Sequence, residues 1–171
     1  MPKGMQAIYT QTASGSAATI TFNNIPQTYT DLKIVVSGRG GQAAVYQQTY
    51  WRINGDTGSN YSATSIQGTG SGSGASYRES SQTRGSFGLL NGSTATASSF
   101  GSLEFCIYSY ANSMYKQVIA EYITETNGAV AYQGIESGLW RVNAPVTSFQ
   151  INTFGAAIAA NTTVTLYGIS R

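Results

Sequence analysis

Acid–base or hard-metal chemistry in this 171-residue chain would fall to seven carboxylates: Asp31, Asp56, Glu79, Glu104, Glu121, Glu125 and Glu136. There is no histidine, and there is one cysteine, Cys106. That composition excludes Ser-His-Asp and Cys-His triads and most zinc sites. Hydrolysis of a glycoside needs two carboxyl groups facing each other across a cleft. Glu104 with Glu121, and Glu121 with Glu125, come nearest to such a pair. The simpler reading of both is solvated charge on a strand face, or an ion pair with Lys or Arg. The stretch "RINGDTGSNY" (52–61) raises the question of a cation loop. A helix–loop–helix calcium site beginning at Asn54 would want an oxygen ligand at its fifth position and Glu at its twelfth. The chain has Gly58 and Ser65 there. Asn54, Gly55 and Asp56 are instead residues that tolerate left-handed backbone and bond their own main chain, so the stretch is expected to be a turn. No nucleophile elbow, phosphate loop or dinucleotide fingerprint occurs. The Gly-x-Gly matches in 68–74 lack a strand–turn–helix context. Neither an enzyme nor a metal or cofactor site is expected.

The remaining chemistry lies in flat rings. Twelve Tyr and two Trp can stack on sugars through apolar faces with polar edges. They are equally what antiparallel sheets and subunit interfaces use. Trp140, in "ESGLWRV" (136–142), reads as a strand residue following a turn, placed in the core or at an interface. Cys106, in the apolar run "LEFCIYSY", reads as a buried structural thiol.

The setting is poor in charge. Charged residues make up 9% of the chain, against about 25% in ordinary soluble domains. Ser, Thr, Asn, Gln and Gly supply the polarity. The net charge is +2, and the nine basic residues are scattered. Arg78 and Arg84, six apart, are the nearest approach to the basic patch that nucleic-acid binders show, so nucleic acid is not an expected partner. "MPKGMQAIYT" has no apolar core of a signal peptide, and no run approaches the length of a membrane span. The expectation is synthesis in a cytoplasm without classical secretion, and no membrane partner.

The elements that must position these side chains follow a period of two. "ATITF" (18–22), "LKIVVSG" (32–38), "YQQTYWRIN" (46–54), "SLEFCIYSY" (102–110), "KQVIAEYIT" (116–124), "SFQINTF" (148–154) and "TTVTLYGIS" (162–170) are short runs rich in β-branched and aromatic residues. "AVAYQGI" (129–135) is a weaker eighth. Such runs, cut by Gly, Asn and Asp, read as strands. Thr30 in "YTDLKIV" is the one helix-capping signal, and it sits inside a β-rich run. One all-β domain over 1–171 follows: an antiparallel β-sandwich, expected as a jelly roll, with an immunoglobulin-like topology as the alternative. Residues 57–101 break the rhythm with Gly, Ser and Thr. They are expected to form a long flexible loop excursion, with a small hairpin around "SFGLL" (86–90).

Four blocks carry a resemblance: "FNNIPQTYTDLKIVVSGRG", "WRINGDTGSNYS", "ESGLWRVNAPVTSFQI" and the terminal "TTVTLYGISR". In this order they resemble a family of small tailed-bacteriophage structural proteins with the pattern IP-x-TY-x-x-L, NGD-x-x-x-NYS, SG-x-W and x-LYGI. The blocks run from near Phe22 to the last residue, and the loop between them has no counterpart. The resemblance implies a virion-surface protein on the head. It would be a capsid decoration or cement protein bound to the major capsid protein, with "NGDTGSNYS" as a structural turn. A homotrimer on local threefold positions of the capsid is expected by analogy. The alternative from another class is a head- or tail-fibre module that recognises a host-surface glycan. Candidate contact residues for either role are Tyr46, Tyr50, Tyr77, Arg78, Arg84, Phe87 and Trp140.

Overall fold

A computed structural model describes residues 4–70, 72–128 and 130–171; the side chain of Phe87 lies outside the described residues. Twelve strands follow one another: β1 (Gly4–Thr12), β2 (Thr19–Phe22), β3 (Asp31–Gly38), β4 (Tyr46–Ile53), β5 (Tyr61–Gly68), β6 (Ala75–Gln82), β7 (Gly85–Asn91), β8 (Gly101–Ile107), β9 (Lys116–Ile123), β10 (Gln133–Trp140), β11 (Phe149–Thr153) and β12 (Thr163–Ser170). They form an eight-stranded sheet in the order β1-β12-β3-β8-β9-β10-β5-β6 and a four-stranded sheet in the order β2-β11-β4-β7. Every strand pair is antiparallel. The chain is thus the antiparallel β-sandwich that its alternation predicts. Early strands pair with late ones, β1 on β12 and β2 on β11, an arrangement consistent with the jelly-roll expectation. Among the described residues, no helix is long and apolar enough to cross a membrane.

The period of two decides which side chains meet. Leu32, Ile34 and Val36 of β3 and Leu103, Phe105 and Ile107 of β8 point inward and are almost wholly buried. From the short sheet, Ile20, Phe22, Trp51, Ile53, Phe149 and Ile151 close onto them. The centre is aromatic. Trp51 meets Tyr61 edge-on at 5.3 Å and lies nearly parallel to Phe149 at 6.2 Å, while Phe105 meets Phe149 edge-on at 5.3 Å. Offset and edge-to-face pairs at these separations add stabilisation beyond the area they bury. Glycine makes the close approach possible: a Cβ on Gly85 would lie 1.9 Å from the Trp51 indole, and one on Gly138 would lie 2.8 Å from it.

Residues 57–101 are not a loop excursion. They contain β5, β6 and β7, and only shorter connections such as 69–74 and 92–100 lie between strands. The physical reason is that β5 and β6 are held by main-chain ladders, β5 to β10 and β6 to β5. A ladder needs no apolar side chain, so a Ser/Thr-rich run can be a strand once a neighbour supplies its partners. "SFGLL" is likewise part of the single strand β7 and not a hairpin. "ESGLW" contains no turn, since Glu136 to Trp140 lie within β10. β1 carries no strong alternation and nearly all of it is exposed, yet it pairs along β12 from Gly4 with Ser170 to Thr12 with Thr163.

Candidate functional site

The turn at 52–61 is a structural joint. Asn54 adopts φ 53° and Gly55 φ 66°, the left-handed conformations that Asn and Gly tolerate. The Asn54 side-chain oxygen accepts from the Thr147 and Ser148 amides at 2.8 and 3.0 Å. The Asp56 carboxylate accepts from Gly58 N at 2.8 Å, Asn60 Nδ2 at 2.9 Å and the Trp140 indole Nε1 at 2.7 Å. Burial pushes the Asp56 carboxyl up, but the bonds from Asn60, Trp140 and Gly58 together outweigh it and hold the group below its ordinary value. Oδ1 accepts from Gly58, and Oδ2 accepts from both Asn60 and Trp140, so the carboxylate ties the turn to the start of β5 and the end of β10.

The two sheets differ in width, and that mismatch builds the candidate site. The short sheet ends at β7, whereas the long sheet continues through β10, β5 and β6. The inward faces of these strands overhang the free edge of β7 and leave a cleft of about 440 Å³. Tyr46 and Gln48 of β4 and Ser86 and Leu89 of β7 line one side; Ser65, Gln67, Tyr77, Glu79, Tyr122 and Glu136 line the other. Tyr132, just before β10, meets Tyr46 edge-on at 5.0 Å. At the mouth, the Arg84 guanidinium lies 4.7 Å over the Phe154 ring and 5.5 Å from the Tyr50 ring.

Register explains the company. Ala63 of β5 pairs with Glu79 of β6, and Ser65 pairs with Tyr77 and Glu136. These side chains therefore share the inward face. Tyr122 of β9 stands opposite Gly134 of β10, where a Cβ would lie 2.4 Å from the end of its ring. The missing side chain at 134 is what lets Tyr122 lie across β10, and its hydroxyl donates to Gln67 Oε1 at 2.8 Å. Burial, then the neighbouring Glu136 carboxyl, pushes the Tyr122 hydroxyl up to about 12.

Glu136 is the unusual member. Its residue is 5% exposed, and its Oε1 is buried with no hydrogen-bond partner among the described residues. Burial, and after it the Glu79 charge, raises its carboxyl to about 8. A buried polar atom left unpartnered costs about 1–3 kcal/mol and calls for an explanation in function or in a missing ligand. Desolvation combined with a specific charged neighbour inside a cleft is a recurrent mark of functional groups.

The expected contact residues divide. Tyr46, Tyr77 and Arg84 line the cleft, and Tyr50 stands at its mouth. Arg78 projects from the opposite face of β6, where its Nη1 donates to Thr64 Oγ1 at 3.0 Å. Trp140 is no interface residue: it is 1% exposed and spends its one donor on Asp56. Phe87 belongs to β7, with its side chain outside the described residues. Cys106 is half-buried on the outer face of β8, not in the core, because its parity is that of Glu104. Glu104 and Glu121 do lie directly opposite each other on that outer face, where Lys33 Nζ bridges Glu104 at 2.7 Å. They do not face each other across a cleft: Glu121 edges a shallow depression of about 660 Å³ on that face, where it is the one carboxylate among the described lining residues. Glu125 caps its own loop, accepting from the Thr126 and Asn127 amides. Glu136 and Tyr122 escaped the sequence reading as site residues. The signal for Glu136 was parity: counted back by twos from Trp140, it falls on the inward face between Gly138 and Gly134.

The chain matches no protein-family model and no curated protein.

Proposed function

We propose that this chain is a virion-surface protein of a tailed bacteriophage that acts by binding, with the β4–β7/β10–β5–β6 cleft taking a host-surface glycan. One observation carries the reading: a concave site of about 440 Å³ that combines four tyrosines with amides and carboxyls. Tyrosine rings stack on the apolar faces of sugar rings. Gln48, Gln67 and the carboxyls supply the few placed polar groups that fix orientation in such sites. The four sequence blocks that resemble phage structural proteins supply the virion setting.

Capsid decoration is the second reading, and a different face supports it. Ile66, Ile119, Ile123 and Ile135 are 58%, 40%, 50% and 41% exposed on the outer face of the long sheet. Ile66 and Ile135 are direct partners there. A grouped apolar surface of this kind suits contact with a major capsid protein, and a homotrimer at local threefold positions would present three copies of it.

The test is a glycan array of host-envelope sugars probed with the purified protein and with Tyr77→Ala, a change on an exposed strand. The expected result is a defined set of bound glycans, with binding at least tenfold weaker in the variant. Equal binding by the variant, or no glycan bound, would sink the glycan reading. Cleavage of a bound glycan by the wild type and not by Glu136→Gln would convert the module into a glycosidase. Gold-labelled antibody spread evenly over virion heads would favour decoration, whereas label at a tail tip or a single vertex would favour recognition.

A further inference from the structure

The buried carboxyl at the base of the cleft narrows the kind of ligand. We propose that the cleft selects ligands bearing an organic cation, an ammonium or amine group seated among the tyrosine rings with Glu136 as its counter-ion. The inference rests on the cleft being the binding site described above, and it names the chemical class that the site prefers.

Three observations converge on it. Tyr46, Tyr77, Tyr122 and Tyr132 line one volume, and the faces of tyrosine rings attract cations within about 6 Å, most strongly where water is excluded. Glu136 Oε1 is buried and unpartnered, so it waits for a donor, and a charged N–H gives a bond about twice as strong as a neutral one. Glu79 adds a second carboxyl to the same cleft, while Arg84, the one cation among its described lining residues, is placed over Phe154 and Tyr50. Two carboxyls thus share the cleft, and the one cation among those residues stacks on aromatic rings at its mouth. A neutral sugar hydroxyl can satisfy Oε1 but cannot balance the charge of an ionised Glu136. A primary ammonium does both through its N–H groups; choline, which has no N–H, balances the charge with its quaternary ammonium and can donate to Oε1 through its hydroxyl.

The proton follows from the same geometry. Burial and Glu79 hold the free carboxyl at about 8; a bound cation favours the ionised form, so binding near neutral pH expels the proton. The charged and titratable groups sharing the cleft with Glu136 are Glu79 and Tyr77 of β6, Tyr122 of β9, Tyr46 of β4, Tyr132 before β10 and Arg84 before β7. Affinity for a permanent cation therefore rises with pH by at most about tenfold per unit and levels off above about 8.

The test is calorimetric titration of the whole chain with choline, glucosamine, N-acetylglucosamine and glucose, using wild type, Glu136→Gln and Tyr77→Leu. Choline and glucosamine are expected to bind at least tenfold more tightly than the acetylated and neutral sugars. Both variants should lose that preference while keeping a cooperative melt. The binding enthalpy at pH 7 should depend on the buffer's ionisation heat, which reports the released proton. If N-acetylglucosamine or glucose binds as well as glucosamine, and Glu136→Gln changes nothing, the cation inference fails and the glycan site survives. If choline binds but no glycan on the array does, the glycan reading fails and this one stands. If neither choline nor glucosamine binds in the millimolar range, the inference is overturned.

Discussion

Asp56, in the turn between β4 and β5, and Glu136, on the inward face of β10, are carboxyls whose surroundings drive them in opposite directions. Asp56 meets N–H donors from Gly58, Asn60 and Trp140, so its charged form is favoured despite burial. Glu136 meets burial and another carboxyl, so its neutral form is favoured. Their effects on stability carry opposite signs. The stabilisation from Asp56 is present above its unfolded pKa and is lost as pH falls through its lower folded value. For Glu136 the folded protein keeps a proton that the unfolded chain has already released between the ordinary 4.5 and about 8. Folding therefore weakens as pH rises across that window, by at most about 1.4 kcal/mol per unit. Glu136→Gln removes the ionisation while keeping the shape. In thermal melts at pH 5, 6.5 and 8, the variant should gain on the wild type steadily as pH rises. Parallel curves for the two proteins would show that Glu136 is not held neutral in the fold.

At the scale of elements, the decisive pieces are the polar strands β5 and β6 and the 69–74 connection between them. Glycines in that connection adopt positive φ, Gly70 at 75° and Gly72 at 111°, with open space where a side chain would be. Gly70 and Gly72 therefore serve the turn by their backbone freedom and not by side-chain packing. Replacing 69–74 by a two-residue Asn-Gly turn should leave urea stability unchanged or slightly higher, since a shorter loop closes at lower entropic cost. A loss of more than about 2 kcal/mol, the scale of a broken core contact, would show that the loop packs on something essential. Much of the sandwich was legible from sequence because β3, β8, β9, β11 and β12 alternate apolar and polar residues cleanly. β1, β5 and β6 were not, because Ser, Thr, Gln and Gly on both faces carry no hydrophobic period. Their strand character comes from neighbours far away in sequence, as when Glu136 on β10 pairs with Ser65 on β5. The site was half legible for the same reason. Tyr46, Tyr77 and Arg84 stood out by type, whereas a cleft between sheets of unequal width has no local signature.

For the molecule as a whole, the eight-plus-four arrangement sets a gradient of stability. β3, β8 and β9 are paired on both sides and covered by the short sheet. Among the described residues, the main-chain ladder of β6 runs to β5 alone and that of β1 to β12 alone, and nearly every residue of both is exposed. Amide exchange should be slowest in β3, β8 and β9 and faster by several orders of magnitude in β6 and β1, because edge strands open without global unfolding. Exchange of β6 at the rate of β8 in the isolated protein would mean that a partner already covers that edge. Ligand should slow β6 selectively if the cleft is occupied.

The overhang of β6 also bears on descent. Tyr77 and Glu79 face the cleft from a strand that contributes no side chain to the core cluster. A mutation there can exchange one recognised surface for another without first being rescued by a stabilising change elsewhere. Selection can therefore work on specificity and on folding as nearly separate traits, and a lineage facing a changing target can revise one strand while inheriting the rest intact.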